Sequence, residues 1–343
     1  MNLLQQKKFL PWVIFILVLG IAPIFADRYI IHILCSCLVW SIIASNWNLV
    51  LGFGGIFSLA PLAFWVGGAY MSAMLSKHLG LLPWLAMPIA GLGMALVGFL
   101  LGLPCLRIKG VHTALFTLIF FECLSPLITW GRKWGTGGSS GLAGIPRLQI
   151  GEFSFDTTFY YYTAFILFLI IIYLLHKIIN SSIGKAFIAL RDAPLRANSL
   201  GVDEYRYSLL IFTISSFFLG LTGGFYAHWM GSLSVHLLGL SLFLMVLLMV
   251  EGGGMGRLSG GIVGAFSVTI LSEILRPLEK WRLVIFGAMM IIIIVLAPEG
   301  MVRIGDVFGE FLKDFFKPGR KGGRDQEERE GSMNQSQTLK PGG

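Results

Sequence analysis

Two carboxylates stand where chemistry is possible. Glu122 lies in the middle of the apolar stretch FTLIFFECLS, and Glu251 closes another, just before Gly252-Gly253-Gly254-Met255-Gly256-Arg257. An acid at membrane depth can carry a proton or line a polar path, at an insertion cost of about 3 kcal/mol. The ten Val, Leu, Ile and Phe between Val111 and Ile128 return roughly 3–6 kcal/mol, so the segment still inserts. Glu122 therefore has two roles open to it: direct contact with substrate or proton, or an interhelical hydrogen bond that sets packing and gating. Glu251, Gly252 and Gly253 join it as pathway or gating candidates.

Other chemistries fail on spacing. The glycines after Glu251 do not fit the phosphate-cradling GxxxxGK[ST] pattern, and Lys185 in Ile183-Gly184-Lys185-Ala186 has no Ser or Thr behind it. No ATP site is expected, and the glycines read as a tight turn or a close helix approach. His32, His112 and His228 have no metal-ligand spacing and read as interhelical hydrogen-bond partners. Cys35 and Cys37 point to opposite sides of a helix; with Cys105 and Cys123 they read as small buried hydrophobes. No metal site, cofactor, catalytic residue or nucleophile–base arrangement is expected, which argues against an enzyme.

The elements that carry these residues are membrane spans. Hydrophobic residues make up 55% of the 343-residue chain and charged residues 13%, half the charge of an ordinary soluble domain. Runs long enough to cross about 30 Å of hydrocarbon occur near 10–25, 29–51, 55–76, 81–103, 111–130, 158–176, 207–230, 237–250, 258–275 and 281–297. The expected fold is an all-α polytopic bundle of about ten transmembrane helices, the short eighth run being tilted or re-entrant. With both termini cytoplasmic, 18 of the 26 Lys and Arg fall on the cytoplasmic side, as the positive-inside bias requires. The +8 net charge thus reflects orientation, not nucleic-acid binding. Lys7 and Lys8 before an apolar run resemble a signal peptide, but Ile24 and Ala26 make a poor cleavage site, so the first span is read as retained. Residues 1–316 are read as the membrane domain. Residues 317–343, rich in Gly, Gln, Glu and Lys, are read as a disordered cytoplasmic tail.

One polar segment between spans has helix signals of its own: SSIGKAFIALRDAPLRANSLGV, Ser181–Val202. Asp192 reads as an N-cap with Pro194 in the first turn, and Gly201 as the glycine that ends the helix. The enclosed residues Ala193–Leu200 make about two turns, roughly 12 Å, enough for a docking knob. The alternative is a surface helix whose Lys185, Arg191 and Arg196 meet anionic lipid. On the opposite side, the long loop 131–157 contains TGGSSGLAGIP, Thr136–Pro146, rich in turn formers.

Seven stretches in order resemble the LivM-type permease family of branched-chain amino acid ABC importers. They are SLAPLAFWVGGAY (Ser58–Tyr70), LRIKGVHTALFTLIFFE (Leu106–Glu122), TGGSSGLAGIP, the polar segment, YSLLIFTISSFFLGLTGGFYAH (Tyr207–His228), EGGGMGRLSGGIVGA (Glu251–Ala265) and APEGMV (Ala297–Val302). The resemblance implies a multi-pass subunit in a bacterial or archaeal inner or plasma membrane. It also implies a second homologous permease, two cytoplasmic ATP-binding subunits and an extracytoplasmic solute-binding protein as partners. Gly184, Asp192, Pro194, Leu195, Arg196, Asn198, Leu200 and Gly201 then form the ATPase-coupling segment, and Thr136, Gly137, Gly138 and Ser139 the binding-protein docking face. Pro194, Arg196 and Asn198 depart from the residues common in that family, as does Pro61. Three other readings fit the composition: a secondary proton-coupled carrier using Glu122, an ABC permease for another small polar solute such as urea or a sugar, and a non-transporting scaffold.

Overall fold

The computed structural model describes residues 3–108, 110–150, 153–154 and 156–296. The expected domain limit at 316, the APEGMV stretch and the expected tail at 317–343 lie outside the described residues. Ten apolar helices follow one another: α1 (Leu3–Phe25), α2 (Arg28–Asn48), α3 (Pro61–His78), α4 (Pro83–Cys105), α5 (Val111–Trp130), α6 (Thr157–Asn180) and, after two short polar helices, α9 (Glu204–Met230), α10 (Leu240–Gly253), α11 (Leu258–Ile274) and α12 (Arg282–Leu296). The polar pair is α7 (Ser182–Asp192) and α8 (Pro194–Ser199). Among the described residues, five stretches are long and apolar enough to cross a membrane: Arg28–Phe53, Pro83–Cys105, Val111–Trp134, Thr157–Asn180 and Glu204–Met230. The protein is an all-α membrane protein, and its strands among the described residues are two-residue pairings such as Leu142–Ala143 with Ser232–Leu233.

Helix starts follow local chemistry. Pro61, Pro83 and Pro194 open α3, α4 and α8, where a missing N–H costs nothing. Asp156 accepts from Thr157 N at 2.8 Å to start α6, and Asp203 accepts from Tyr205 N at 3.0 Å and Arg206 N at 3.2 Å to start α9. The third span begins at Pro61 and not near residue 55, as its hydropathy suggested. Gly54–Ala60 is apolar but non-helical, following a π-helical turn, Leu49–Phe53, that ends α2.

Helix α9 runs through the centre, packed along α3 and α4. Hydrocarbon gives no hydrophobic drive between helices, so small residues that admit close backbone approach do the packing. A Cβ at Gly223 of α9 would stand 2.0 Å from the Trp65 carbonyl of α3, and one at Gly264 of α11 would stand 1.9 Å from the Met249 carbonyl of α10. From Cys37 to Val50 the second helix and the start of its π turn are wholly buried, whereas α5 and α6 turn broad apolar faces outward.

The histidines divide. His228 of α9 joins helices as expected: Nδ1 lies 2.7 Å from the Pro146 carbonyl, and Nε2 lies 2.9 Å from Ser72 Oγ on α3. Because a carbonyl only accepts, Nδ1 carries the proton and Nε2 accepts from the serine hydroxyl. The His32 ring lies 4.8 Å from the Trp229 ring. His112, expected between helices, is instead exposed in the first turn of α5. Likewise Cys35, Cys37 and Cys105 are buried but Cys123 is exposed, because it falls on the outward side of α5.

Candidate functional site

The polar segment is a helix–break–helix. Ser181 caps α7, its Oγ accepting from Gly184 N at 3.4 Å. Phe187 and Leu190 are buried, and the Phe187 ring meets Tyr207 of α9 edge-on at 6.1 Å. Gly184 is buried, and a Cβ there would stand 2.1 Å from the Ile179 carbonyl. Asp192 does not cap α8, as its type and position suggested; it is the last residue of α7. The residue before a proline is driven out of the helical region, so Ala193 (φ −150°, ψ 72°) takes the break and Pro194 starts α8. The regular helix is therefore six residues, Pro194–Ser199, not eight. Gly201 ends it as expected, at φ +85°, with its N–H donating to Asn198 O at 3.0 Å and Val202 N donating to Ala197 O at 3.1 Å.

This short helix presents an apolar knob. Leu195 is 82% exposed and Leu200 84%, with Pro194, Arg196, Asn198 and Gly201 exposed around them. Only Ala197 turns inward. Two leucines thus stand out from a polar connector.

Behind the knob lies a junction whose members the spacing gave no reason to connect. Arg191 Nη1 donates to the Gly52 carbonyl at 2.5 Å, and its Nε donates to Asp192 Oδ1 at 2.8 Å. That hydrogen bond holds the Asp192 carboxyl below its ordinary range. Gly52 belongs to the π-helical turn, a geometry frequent at functional sites. One turn earlier, Asn48 accepts from Gly256 N at 2.9 Å and donates to Arg257 O at 2.7 Å. A Cβ at Gly52 would stand 2.0 Å from Asn48 Oδ1 and 2.3 Å from Gly256 N, and one at Gly256 2.8 Å from Arg191 Nη1. Arg191 thus contacts both the end of α2 and the turn between α10 and α11.

Gly252 and Gly253 are buried at the end of α10, and a Cβ at Gly253 would meet the Gly260 carbonyl at 2.0 Å. They make the close approach and turn that the sequence suggested. Glu251 is half-buried, and its Oε2 has no hydrogen-bond partner. Glu122 stands apart from this junction. It is exposed on a stripe of α5 with Leu115, Ile119 and Trp130, so the interhelical bond considered for it is not made among the described residues.

At the opposite end, the loop carrying Thr136, Gly137, Gly138 and Ser139 is buttressed from several sides. Thr136 Oγ1 donates to Ile128 O at 2.6 Å, Lys77 Nζ donates to Ala143 O at 2.6 Å, and Ile145 N donates to Gly231 O at 3.1 Å. Thr136 and Gly138 are buried by these contacts, and Gly137 is half-buried; Ser139 and its neighbour Ser140 are exposed. The outward face of this loop is therefore narrower than the four residues singled out.

Comparison with known proteins completes the picture. The family described as "Branched-chain amino acid transport system / permease component" matches residues 29–294. The chain is 29% identical over 323 residues to the high-affinity branched-chain amino acid transport system permease protein LivM of Escherichia coli K12, covering 87% of this chain and 75% of that protein. It has the same identity and coverage with the LivM protein of Salmonella typhimurium LT2. No solved structure matches.

Proposed function

The chain belongs to the family of permease components of branched-chain amino acid transport systems, and we propose that it serves as one of two membrane subunits of an ATP-driven importer. The substrate is a branched-chain or related amino acid, delivered by an extracytoplasmic binding protein. The second permease is a homologue, and two cytoplasmic subunits bind and hydrolyse the ATP. The termini are cytoplasmic and all ten apolar helices cross, which puts α7–α8 on the ATPase side.

The observation that carries the reading is the exposed Leu195–Leu200 knob joined through Arg191 to Gly52. ATP-driven closure of the ATPases displaces α8, which hinges at the Ala193 break. Arg191 passes the displacement to the π turn, and Asn48 passes it to the Gly256 turn. Helices α2, α10 and α11 then shift relative to α9, and rocking of the bundle switches access. Exposure of Glu122 supports a place facing the second permease or a water-filled path. Turned to hydrocarbon it would cost about 2.5–3.5 kcal/mol. Ser139 and the residues around it offer the outer docking face.

The test is affinity purification of the chain in mild detergent with its native partners. Recovery of a second permease and two ATPases is the expected result, and recovery of the chain alone overturns the reading.

A further inference from the structure

We infer that a cavity between α2, α10 and α11, at the end of α2 remote from Gly52, is a binding site for one zwitterionic α-amino acid with an apolar side chain. The choice of an amino acid rests on the function proposed above; the recognition chemistry rests on the cavity itself. Tyr29 lies in the first turn of α2 and Gly52 in the π turn that follows its last, roughly 35 Å away at about 1.5 Å per residue. In the proposed orientation the cavity therefore opens where solute arrives.

The cavity holds about 260 Å³. Pockets for drug-sized molecules run to about 300–1,000 Å³, so this one suits a small solute such as a single amino acid. Its rim is an ion pair: Arg276 Nη1 donates to Glu273 Oε1 at 3.0 Å, and the Tyr29 hydroxyl donates to the same oxygen. Arg276 is 69% exposed and Glu273 33%. Ion pairs in contact with water are weak and exchange readily. An entering zwitterion replaces this pair by two others, its carboxylate on the Arg276 guanidinium and its ammonium on the Glu273 carboxylate. Charge is balanced before and after, and each new contact is a charge-assisted hydrogen bond.

The interior separates polar from apolar contacts. Thr269, 7% exposed, lines the cavity, and its hydroxyl meets the Cys37 thiol. Ile33, Trp40, Leu242 and Met245 supply an apolar wall, with His32, Ser36 and Ser272 lining the same cavity. A branched aliphatic side chain that fills that wall removes apolar surface from water.

The test uses radiolabelled leucine and the full-length chain, purified in detergent, in equilibrium dialysis. Saturable leucine binding is expected, with at least tenfold weaker binding of leucinamide, N-acetyl-leucine and glutamate, because each breaks one of the three contacts. Arg276→Ala and Glu273→Gln should each weaken leucine binding at least tenfold while leaving the gel-filtration profile unchanged. The analogues keep the test sound even if a variant misfolds. Absence of saturable binding at millimolar leucine, or leucinamide binding as tightly as leucine, overturns the inference. Recovery of ATPase partners without leucine binding would sink this site alone; leucine binding without such partners would sink the importer reading and leave the site standing.

Discussion

Arg191 Nη1 donates to the main-chain carbonyl of Gly52 at 2.5 Å, across 139 positions of sequence. This contact joins the polar α7–α8 segment to a π-helical turn at the end of a buried helix. It also gives Arg191 a main-chain partner inside the protein, which the alternative of a surface helix meeting anionic lipid did not call for. In the coupling proposed here, motion imposed on the knob enters the bundle through this contact.

Leu195→Asp places a charge on the exposed face of α8 without touching the buried Ala197 or the α7 core. Anchor side chains at such interfaces account for much of the binding energy. Co-purified ATPase should fall about tenfold or more, while membrane insertion, read by fractionation, stays unchanged. Undiminished ATPase recovery would place the docking face elsewhere.

Gly256→Ala and Asn48→Ala test the junction from two directions. A Cβ at Gly256 meets Arg191 Nη1 at 2.8 Å and needs a backbone at φ +74° that alanine disfavours. Asn48→Ala removes two hydrogen bonds and strands the Gly256 N–H, while the Arg257 carbonyl keeps the Gly260 N–H at 3.0 Å. Each should cost about 1–3 kcal/mol, seen as a lower midpoint of thermal unfolding in detergent. A Ser45→Ala control, at a hydroxyl without a hydrogen-bond partner, should show no comparable loss.

Much of the bundle was legible because apolar runs end at marked residues. Gly110 and Gly131 bracket α5, and Asp156 and Asp203 announce α6 and α9. The break before Pro61 was not, because Gly54–Ala60 is as apolar as the helix that follows. At α8 the proline was read correctly but Asp192 was overvalued as a cap: Pro194 dictates that the residue before it breaks the helix, so Ala193 takes that place. The junction of Asn48, Gly52, Arg191 and Gly256 was hidden for a different reason. Its members come from three distant segments, and only tertiary packing brings them together. Glu122 was found by its chemistry, but its outward direction depends on which face of α5 the neighbours cover.

Glu122→Gln keeps size and hydrogen-bonding capacity and removes the charge. Insertion should be unimpaired, and uptake by the reconstituted assembly should fall about tenfold if the carboxylate contributes an ionic contact worth about 1.4 kcal/mol along the path. Proteoliposomes holding the chain alone should show no amino acid uptake with or without a proton gradient. Gradient-driven uptake by the chain alone would favour a secondary carrier.

The Asp192 carboxyl is held below its ordinary range chiefly by the hydrogen bond from Arg191. A depressed folded value means that the contact contributes fully above the unfolded carboxylate range and is lost only as pH falls through the lower folded value. ATPase association should therefore be insensitive to this pair between about pH 5 and 8. Any acid-induced loss below about pH 4 that arises here should be smaller in Asp192→Asn. Co-purification across a pH series measures both.

The most direct test of the coupling account is Arg191→Ala in the assembled importer, with ATP hydrolysis and leucine uptake measured on the same proteoliposomes. The knob is untouched, so the ATPases should remain bound and continue to hydrolyse ATP. Leucine carried per ATP should fall about tenfold or more, as expected for loss of a charge-assisted hydrogen bond worth about 1.5–3 kcal/mol. An unchanged ratio of uptake to hydrolysis would contradict the claim that Arg191 carries motion from α8 to Gly52.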